Sequence, residues 1–388
     1  YQNCFQSYQE RTSLYRTILP ADTPDVSGVK DCVGCGSCSG RCPTDAITMQ
    51  YSADGFLYPH VDETLCVQCG ICLEACPTQR QLPATAIPDS CYAVQAEDDV
   101  RMGASSGGVF PMLAQYVLDQ GGYVAGAVYD ETFKVHHIVS NQPKDVQAMQ
   151  TSKYVQSDTA AVYPQIRELL EAGKAILFSG CACQVAGLQA YLGKPYDNLY
   201  TMDVVCHGVP SVEVYRRYLQ EFRRKNGPIV EVNFRKKEAL GWSTGVYLRF
   251  ASGKTYVSKG ADLYILSFLS DWTIRESCYQ CPFKGRKYSD LTAADFWGIE
   301  RVDPSVEDGK GTSCITTNTE KGENLFRAIT GNAKKMVTFG KEQTKLAHAY
   351  NPSTIHSVER PPFRDIFFDQ WRKDPSSLNN ALARAFQS

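Results

Sequence analysis

Apolar residues between positions 109 and 204 follow two different periods. They recur at helical spacing in GVFPMLAQYVLDQ, AVYPQIRELLEAG and QVAGLQAYL, whereas YVAGAVY, KAILFSG and NLYTMDVVC have the composition of strands. Because strands alternate with helices, this region predicts an α/β sheet that is at least partly parallel. Further on, strands separated by turns, from IVEVNFRKKE through GVYLRFASGKTYVS, predict an antiparallel portion.

A polar, proline-bearing segment, TQRQLPATAIPDS, precedes this region and is interpreted as a linker. Before it, DAITMQYSADGFLYPHVD predicts two short strands around a turn at Asp54-Gly55. We therefore expect a protein of mixed α+β and α/β character with two domains. One covers residues 1–88, and the other, a mixed-sheet α/β domain, covers residues 89–388.

The composition narrows the class of protein. A chain of 388 residues, 43% hydrophobic and 21% charged, suits a soluble globular protein with a sizeable core. A net charge of -2 predicts no general attraction to nucleic acid or anionic membranes, and the basic run RRYLQEFRRKNG is interpreted as a solvated helix face. No stretch approaches the ~20 apolar residues that span a bilayer, so we expect no membrane insertion. The first residues lack the pattern of a secretion signal, although a chain that starts with Tyr1 leaves a removed presequence as an open alternative.

Half of the sixteen cysteines form two copies of one pattern. Each copy reads Cys-x2-Cys-x2-Cys-x3-Cys-Pro, the spacing of two-cluster bacterial ferredoxins. Three closely spaced thiolates wrap one four-iron cubane, and the fourth reaches the other cluster, so the predicted ligand sets cross over. One set is Cys32, Cys35, Cys38 and Cys76; the other is Cys66, Cys69, Cys72 and Cys42.

Zinc is the alternative ligand of such cysteines, but a zinc site has no use for the third regularly spaced cysteine or the trailing proline. We therefore expect residues 1–88 to contain a bacterial-ferredoxin-like domain with two 4Fe–4S clusters. Disulfide scaffolds are typically short secreted domains, so the cytoplasm or another reducing compartment is the expected location.

The other cysteines leave several interpretations open. Cys183 and Cys206 each follow a predicted strand, and Cys278 and Cys281 form a Cys-x2-Cys pair. These four thiols suit a third cluster, buried structural roles, or a redox-active pair at the last two positions. Three further thiols have no companions in the sequence and are interpreted as structural: Cys4, Cys91 and Cys314.

Three segments carry candidate ligand contacts. ASSGG, residues 104–108, precedes a helix, where free backbone N–H groups can bind an anion or simply form an N-cap and turn. TSKYVQS, residues 151–157, is polar and on its own reads as a surface loop. FSGCACQVAG lies between a buried strand and a helix, where α/β sheets commonly place ligands.

Taken together and in order, these motifs resemble those of one family. Six segments carry the resemblance: ASSGGVFPMLAQYVLDQGGYVAGAVY, SKYVQS, ILFSGCACQVAGLQAYL, DVVCHGVPS, CYQCPFKGRKYSDLTAADFWGIE and GTSCITTNTEKG. The chain resembles the coenzyme F420 hydrogenase/dehydrogenase beta-subunit family, in the form that has an N-terminal two-cluster ferredoxin domain. The resemblance runs from about residue 28 to past residue 360. It implies FAD with a 4Fe–4S cluster beside it.

The resemblance also implies roles for particular residues. Flavin contacts are expected from Ser105, Ser106, Gly107, Gly108, Lys153, Tyr154, Gln156 and Gly208. Third-cluster ligands are expected at Cys183, Cys206, Cys278 and Cys281. His207 is the candidate proton donor, and Asp295 is either structural or at the substrate pocket. Where the family usually has Thr-Pro before its cysteine, this chain has Cys181-Ala182, which leaves Cys181 as an alternative ligand to Cys183.

The function that follows is an iron–sulfur flavoprotein oxidoreductase. A flavin exchanges two electrons with organic molecules or one at a time with clusters, so it connects a one-electron relay to a two-electron substrate. The expected partners are a ferredoxin or other subunits of a redox complex, and a small organic substrate such as a deazaflavin. The alternative is an electron-transfer subunit with no substrate of its own. Arg235, Lys236 and Lys237 suit either an acidic substrate or, preferably, a solvated strand end; the sequence leaves the oligomeric state open.

Overall fold

The computed structural model of the chain describes residues 25–387, so Cys4 lies outside the described residues. Strands β1 to β13 within this range are Ile47–Tyr51, Leu57–Val61, Cys91–Ala96, Tyr123–Tyr129, Val135–Ser140, Ile176–Cys181, Leu199–Val204, Ile229–Asn233, Gly245–Phe250, Thr255–Lys259, Leu291–Asp295, Ser313–Thr317 and Ala333–Phe339. Helices α1 to α15 are Ser37–Arg41, Ile71–Glu74, Asp98–Met102, Val109–Asp119, Pro143–Met149, Val162–Glu171, Ala182–Leu192, Val212–Asn226, Lys237–Leu240, Leu263–Leu269, Ile299–Val302, Glu320–Ile329, Lys341–Tyr350, Phe363–Lys373 and Leu378–Gln387.

Residues 25–80 are built around the hairpin that the sequence predicts. Strands β1 and β2 pair antiparallel, with Ile47 opposite Val61, and the turn contains Gly55 at φ +79. Helices α1 and α2 each begin directly after a glycine in the left-handed region, Gly36 and Gly70. A side chain rarely adopts that backbone conformation, so glycine lets the chain turn sharply between consecutive cysteines.

The large sheet has eight strands in the order β13-β3-β12-β11-β7-β6-β4-β5. Its centre is parallel, since β11, β7, β6 and β4 run in the same direction, and its two edges are antiparallel. The mixed-sheet prediction is therefore confirmed. The carboxyl ends of β6 and β7 lie side by side, because the two strands pair in parallel up to Cys181 and Val204.

Helices cover both faces of this sheet. Leu177 of β6 packs into a core with α4 and α12, whereas its neighbours Ile176 and Phe178 pack into another core with α6 and α7. Successive side chains of a strand point to opposite faces, and both faces here are buried. This explains why β6 reads as a continuous apolar run in the sequence.

The antiparallel portion forms a separate three-stranded sheet in the order β10-β9-β8. It shares a core with α8, α10, α14 and α15. Helix α8 contains the basic run and buries Tyr215, Tyr218 and Leu219 against that core, so the helical interpretation of the run holds. Within residues 25–387 no helix combines the length and the apolar character that crossing a membrane requires.

Candidate functional site

The eight cysteines of residues 25–80 line two cavities of similar size. The cavity that we call proximal has about 320 Å³ of empty space, and the one that we call distal has about 330 Å³. The proximal cavity is lined by Cys32, Cys35, Cys38 and Cys76. The distal cavity is lined by Cys42, Cys66, Cys69 and Cys72. The structure thus brings together the two crossed sets that the spacing predicts.

The chemistry of these thiols fits iron–sulfur clusters. Burial raises the pKa of Cys35 and of Cys72 to about 12, so a bound cation is what keeps such sulfurs deprotonated. A cubane binds each of four cysteines at a different iron, and four cysteines line each of the two cavities.

A second group of cysteines meets where parallel strands end. Cys206 follows β7, Cys183 lies in the first turn of α7 directly after β6, and Cys278 and Cys281 come from the 3-10 turn Glu276–Gln280 and the residue after it. All four line a cavity of about 620 Å³, which we call the third cysteine cavity. The four thiols that the family resemblance implies are therefore neighbours in space.

Cys181 lines the same cavity but is bonded differently. Its thiol hydrogen-bonds to the sulfur of Cys206, which lowers the pKa of Cys206 to about 6 and raises that of Cys181 well above its ordinary value. Cys181 is thus the donor of the pair. Burial also raises the pKa of Cys183 well above its ordinary value, so both thiols stay candidates for the fourth ligand of a cluster.

A larger cavity opens beside the third cysteine cavity. It holds about 1600 Å³ of empty space, including its open mouth, and Cys181, Cys183 and Cys206 line both cavities. Predicted flavin and proton-donor residues that line it are Ser105, Ser106, Gly108, Lys153, Tyr154, Gln156, His207 and Gly208. Its position at the carboxyl ends of parallel strands is where open α/β sheets bind ligands.

Gly107 is the predicted flavin contact that does not line this cavity in the described chain. Its N–H donates to Ser313 Oγ at 2.9 Å, and its carbonyl accepts from Ala96 N at 2.7 Å. A Cβ at this position would lie 1.9 Å from the carbonyl oxygen of Val94. Glycine is required here because the loop packs directly on strands β3 and β12, behind the cavity wall.

Lys153 lies on the cavity wall with its ammonium group already bonded. Nζ donates to backbone carbonyl oxygens at the end of α5, including those of Ala148 at 3.0 Å and Gln150 at 3.2 Å. Burial lowers the pKa of Lys153 to about 7, although these carbonyls favour the charged form. The residue therefore holds the 148–153 turn in place, and its contact with a flavin stays a prediction.

The interpretation of residues 235–237 as a solvated strand end is wrong for two of the three. Arg235 is 2% exposed and forms two 2.7 Å hydrogen bonds with the carboxylate of Asp295. Lys237 is 5% exposed, and its Nζ donates to Ser106 O. Lys236, between them, points the other way and pairs with Glu231 at 2.7 Å. Asp295 is 60 positions from Arg235, so no local pattern in the sequence reveals the pair.

Arg235 and Lys237 hold the 104–108 loop by its carbonyl oxygens. Arg235 Nη2 donates to Ser105 O at 2.8 Å, next to the Lys237 contact with Ser106. Trp242 Nε1 also donates to Asp295, at 2.7 Å, and so fixes the acidic partner of Arg235. Two basic side chains thus lie directly behind the loop that precedes α4, and burial lowers the pKa of one of them, Lys237, to about 7.

His207 lines both the third cysteine cavity and the large cavity. Its Nε2 lies 2.6 Å from Asp271 Oδ1, and its ring meets that of Phe268 edge-on. The carboxylate fixes the orientation of the imidazole and leaves Nδ1 as the nitrogen available for proton exchange. Asp271 has φ +66, an uncommon conformation for a non-glycine residue.

Val33, between two proximal cysteines, joins the sites, because it lines the proximal, third cysteine and large cavities. Gln156 adds a bond across the same boundary, since its Nε2 donates to Gly34 O at 3.4 Å. On the other side of the proximal cavity, a Cβ on Gly187 of α7 would lie 3.0 Å from Cys35 Sγ. The ferredoxin-like segment therefore packs directly on the wall of the large cavity.

Cys91 and Cys314, predicted to have no companions, are neighbours on β3 and β12. Their side chains hydrogen-bond to each other, and Thr344 Oγ1 lies 3.4 Å from Cys91 Sγ. Both are buried. Their structural role stays a prediction, and antiparallel pairing of β3 with β12 is what brings positions more than 200 residues apart into contact.

Three family models match successive parts of the chain. The family model for the coenzyme F420 hydrogenase/dehydrogenase beta subunit N-terminal region matches residues 91–163, and the model for its C terminus matches residues 173–342. A 4Fe-4S dicluster domain model matches residues 31–80. No curated protein matches the chain. A chain from the F420-reducing NiFe hydrogenase complex of Methanosarcina barkeri is similar at 15% identity, with a TM-score of 0.43, over 71% of this chain and 97% of that chain.

Proposed function

Because the chain belongs to the coenzyme F420 hydrogenase/dehydrogenase beta-subunit family, with a 4Fe-4S dicluster domain before the family's two regions, we propose that it is an iron–sulfur flavoprotein oxidoreductase. It passes electrons between a one-electron protein partner and a two-electron organic substrate. The observation that supports this most is the shared wall at Val33 of the proximal, third cysteine and large cavities. When bound, the clusters supply one-electron transfer and FAD supplies exchange between one- and two-electron chemistry.

The cysteines would hold three clusters. The proximal and distal cavities take one each, and Cys183, Cys206, Cys278 and Cys281 hold the third. Lys284 supports this last site, since its Nζ donates to Cys206 O and to Ser353 O. A fixed lysine beside four thiolates offsets part of their negative charge.

The 104–108 loop would hold the phosphates of FAD. Gly108 is the N-cap of the eleven-residue helix α4, and the N–H groups at the start of a helix attract anions. Arg235 and Lys237 orient the loop through the carbonyls of Ser105 and Ser106. Tyr154, whose hydroxyl accepts from Arg235 at 3.2 Å, continues this wall toward Gln156.

His207 would hold the proton that accompanies the two-electron step. Asp271 accepts from its Nε2–H and so leaves Nδ1 facing away from the carboxylate. A protonated imidazole in this pair donates from Nδ1, and a neutral one accepts there. We therefore assign His207 as proton donor or acceptor for the organic substrate, with Asp271 as the residue that positions it.

Electrons would enter from the partner at the distal cavity. Leu65 and Val67, on either side of Cys66, are 49% and 54% exposed. The partner is a ferredoxin or another subunit of a redox complex, the substrate is a small organic acceptor such as a deazaflavin, and the cytoplasm or another reducing compartment is the proposed location.

An electron-transfer subunit without its own substrate is the second candidate, favoured by the description of the matched family as a beta subunit. The two candidates differ in what the isolated chain does. We expect the chain, reduced anaerobically by dithionite, to be reoxidised by a deazaflavin or a quinone in a single turnover. If neither oxidant reoxidises it while a protein partner does, the relay function replaces our proposal.

Single-turnover flavin reduction tests the route. A one-electron donor should reduce the bound flavin in the wild type, and Cys278→Ser should slow this at least tenfold because the third cluster loses a ligand. Glu276→Gln, in the same 3-10 turn but half exposed and without a cavity contact, is the matched control. Equal rates in Cys278→Ser and the wild type would show that electrons bypass the third site.

A further inference from the structure

Arg275 connects the ferredoxin-like segment to the third cysteine cavity. It is 1% exposed, lines that cavity and immediately precedes the turn that carries Cys278. Its Nε donates to Cys32 O at 2.8 Å, and its Nη2 donates to Leu57 O at 2.8 Å. The same Nη2 lies 3.6 Å from Cys32 Sγ, so the guanidinium group touches a predicted ligand of the proximal cluster.

None of these partners of Arg275 is a carboxylate that would balance its positive charge. They are two carbonyl oxygens and a sulfur, and the ring of Tyr58 lies 4.2 Å from the guanidinium carbon. Nη1 is buried with no hydrogen-bond partner in the described chain. A buried cation needs an anionic neighbour, because its desolvation costs several kcal/mol.

The backbone of the proximal loop approaches this cation closely. Gly34 has φ +68, and a Cβ there would lie 2.8 Å from Arg275 Nη1 and 2.6 Å from Gln156 Nε2. Glycine therefore leaves Nη1 facing the loop that carries Cys32 and Cys35. The unpaired donor thus lies beside Gly34, a residue that lines the proximal cavity.

The distal cavity has the opposite charge. Of the residues that line it in the described chain, the charged one is Asp25. A four-iron cluster held by four thiolates is anionic and becomes more negative when reduced. A neighbouring cation therefore favours its reduced form, and a neighbouring anion disfavours it.

We propose that Arg275 is the counter-charge of the proximal cluster, and that it raises the reduction potential of this cluster above that of the distal one. The inference rests on the proposed function, since it requires clusters in both cavities. The resulting order drives electrons from the surface of the ferredoxin-like segment inward, toward the third cysteine cavity. Arg275 is a positioning residue, because it acts on the electrons through the cluster.

A redox titration of the whole chain, followed by electron paramagnetic resonance, tests the proposal. Cys76→Ser and Cys42→Ser assign the proximal and distal signals. Arg275→Gln should lower the proximal potential by at least the equivalent of a tenfold change in the reduction equilibrium, about 59 mV for one electron. The distal potential should stay unchanged.

Two further variants separate charge from packing. Arg275→Lys keeps the charge and should keep the proximal potential close to that of the wild type. Arg80→Gln removes a cation at an exposed position four residues after Cys76, where solvent screens it, and should change neither potential. Three results overturn the proposal. In Arg275→Gln the two reduction potentials shift equally, or neither shifts. Alternatively, Arg80→Gln shifts a potential as much as Arg275→Gln does.

Iron content distinguishes a variant that lacks its proximal cluster from one whose cluster has an altered potential. If Arg275→Gln fails to assemble its proximal cluster, Arg275→Lys decides, and a tenfold change in its reduction equilibrium contradicts the charge account. Wild-type protein prepared without oxygen that shows neither cluster signal refutes the proposed function itself. Two wild-type signals that respond to no change at Arg275 refute the inference alone.

Discussion

Cys181 and Cys183 lie two positions apart, yet their sulfurs have different neighbours. Both interact with the charges of Cys206 and Cys278, but only Cys181 also forms a side-chain hydrogen bond with Cys206. The extra thiol thus occupies the wall between the third cysteine cavity and the large cavity. A thiol that donates a hydrogen bond to a cluster ligand has a different role from a cysteine that binds the iron itself.

Serine at each position separates these roles. Cys183→Ser should lose the third cluster, about four irons per chain, because serine is a poor replacement for thiolate at a cubane. Cys181→Ser should keep the iron, since a hydroxyl also donates to Cys206. Iron and sulfide assays on both variants check this, and the reverse pattern would make Cys181 the ligand.

His137 makes the stability of the chain depend on pH. It is 5% exposed, its Nε2 lies 3.0 Å from Ser179 O, and burial lowers its pKa to about 4. The unfolded chain then binds this proton more tightly than the folded chain does, so stability is lost as the pH falls from about 6.5 toward 4. Over the full range, the free energy of unfolding falls by about 3 kcal/mol.

His137→Gln removes this proton-binding group and should flatten the loss of stability over that range. Unfolding midpoints at several pH values measure it, with His60→Gln at an exposed position as the control. Parallel pH profiles for His137→Gln and the wild type would contradict the assignment.

At the level of single residues, the sequence predicted what depends on spacing and missed what depends on distant partners. The cysteine repeats have a spacing that chemistry explains locally, so both crossed sets were predictable. Arg235 and Arg275 give no such signal, because Asp295 and Cys32 reach them only through the fold. A buried arginine looks like a surface arginine in the sequence.

Among the secondary-structure elements, α7 lies directly against the proximal cysteines at Gly187. A Cβ on Gly187 would lie 2.9 Å from Cys35 Cβ and 2.9 Å from Tyr163 Oη. Glycine within a helix normally costs about 1 kcal/mol relative to alanine. Its presence here lets the proximal cysteines approach the helix that carries Cys183.

Gly187→Ala should therefore destabilise the chain, by about 1–3 kcal/mol, instead of stabilising the helix. It should also slow electron transfer from the ferredoxin-like segment to the flavin, since the segment must move outward. Thermal unfolding and single-turnover flavin reduction measure the two effects. Gly331→Ala, where a Cβ meets nothing within 4 Å, is the control, and similar behaviour of the two variants would contradict the account.

The connection between β8 and α9 fixes the 104–108 loop. Arg235→Met removes the contact with Ser105 O and deprives Asp295 of its cation, which should cost about 3–5 kcal/mol. Flavin content should fall with it. Lys236→Met, at the adjacent half-exposed position, should cost no more than about 1 kcal/mol and retain the flavin. Full flavin content in Arg235→Met would exclude this residue from the site.

The predictability of each strand follows from how its partners are arranged. Strands β4, β6 and β7 were predictable, because each is an apolar run near the strands it pairs with. Strand β3 was not, since it pairs with β12 and β13 from the other end of the chain. Long-range pairing leaves little trace in local composition.

At the scale of the whole molecule, the cysteine cavities form a path that leads to the large cavity. Residues 31–80 match a 4Fe-4S dicluster domain. This segment packs against α7, and its residue Val33 lines both the proximal and the large cavity. The sequence predicted both parts of the chain. It did not predict their contact, which depends on glycines at positions 34 and 187 that look ordinary in sequence.

The iron, sulfide and flavin content of the whole chain, purified without oxygen, tests the central claim most directly. Three cubanes and one flavin predict about twelve irons, about twelve sulfides and one FAD per chain. Zinc in place of iron, or full iron with no flavin, would contradict the account.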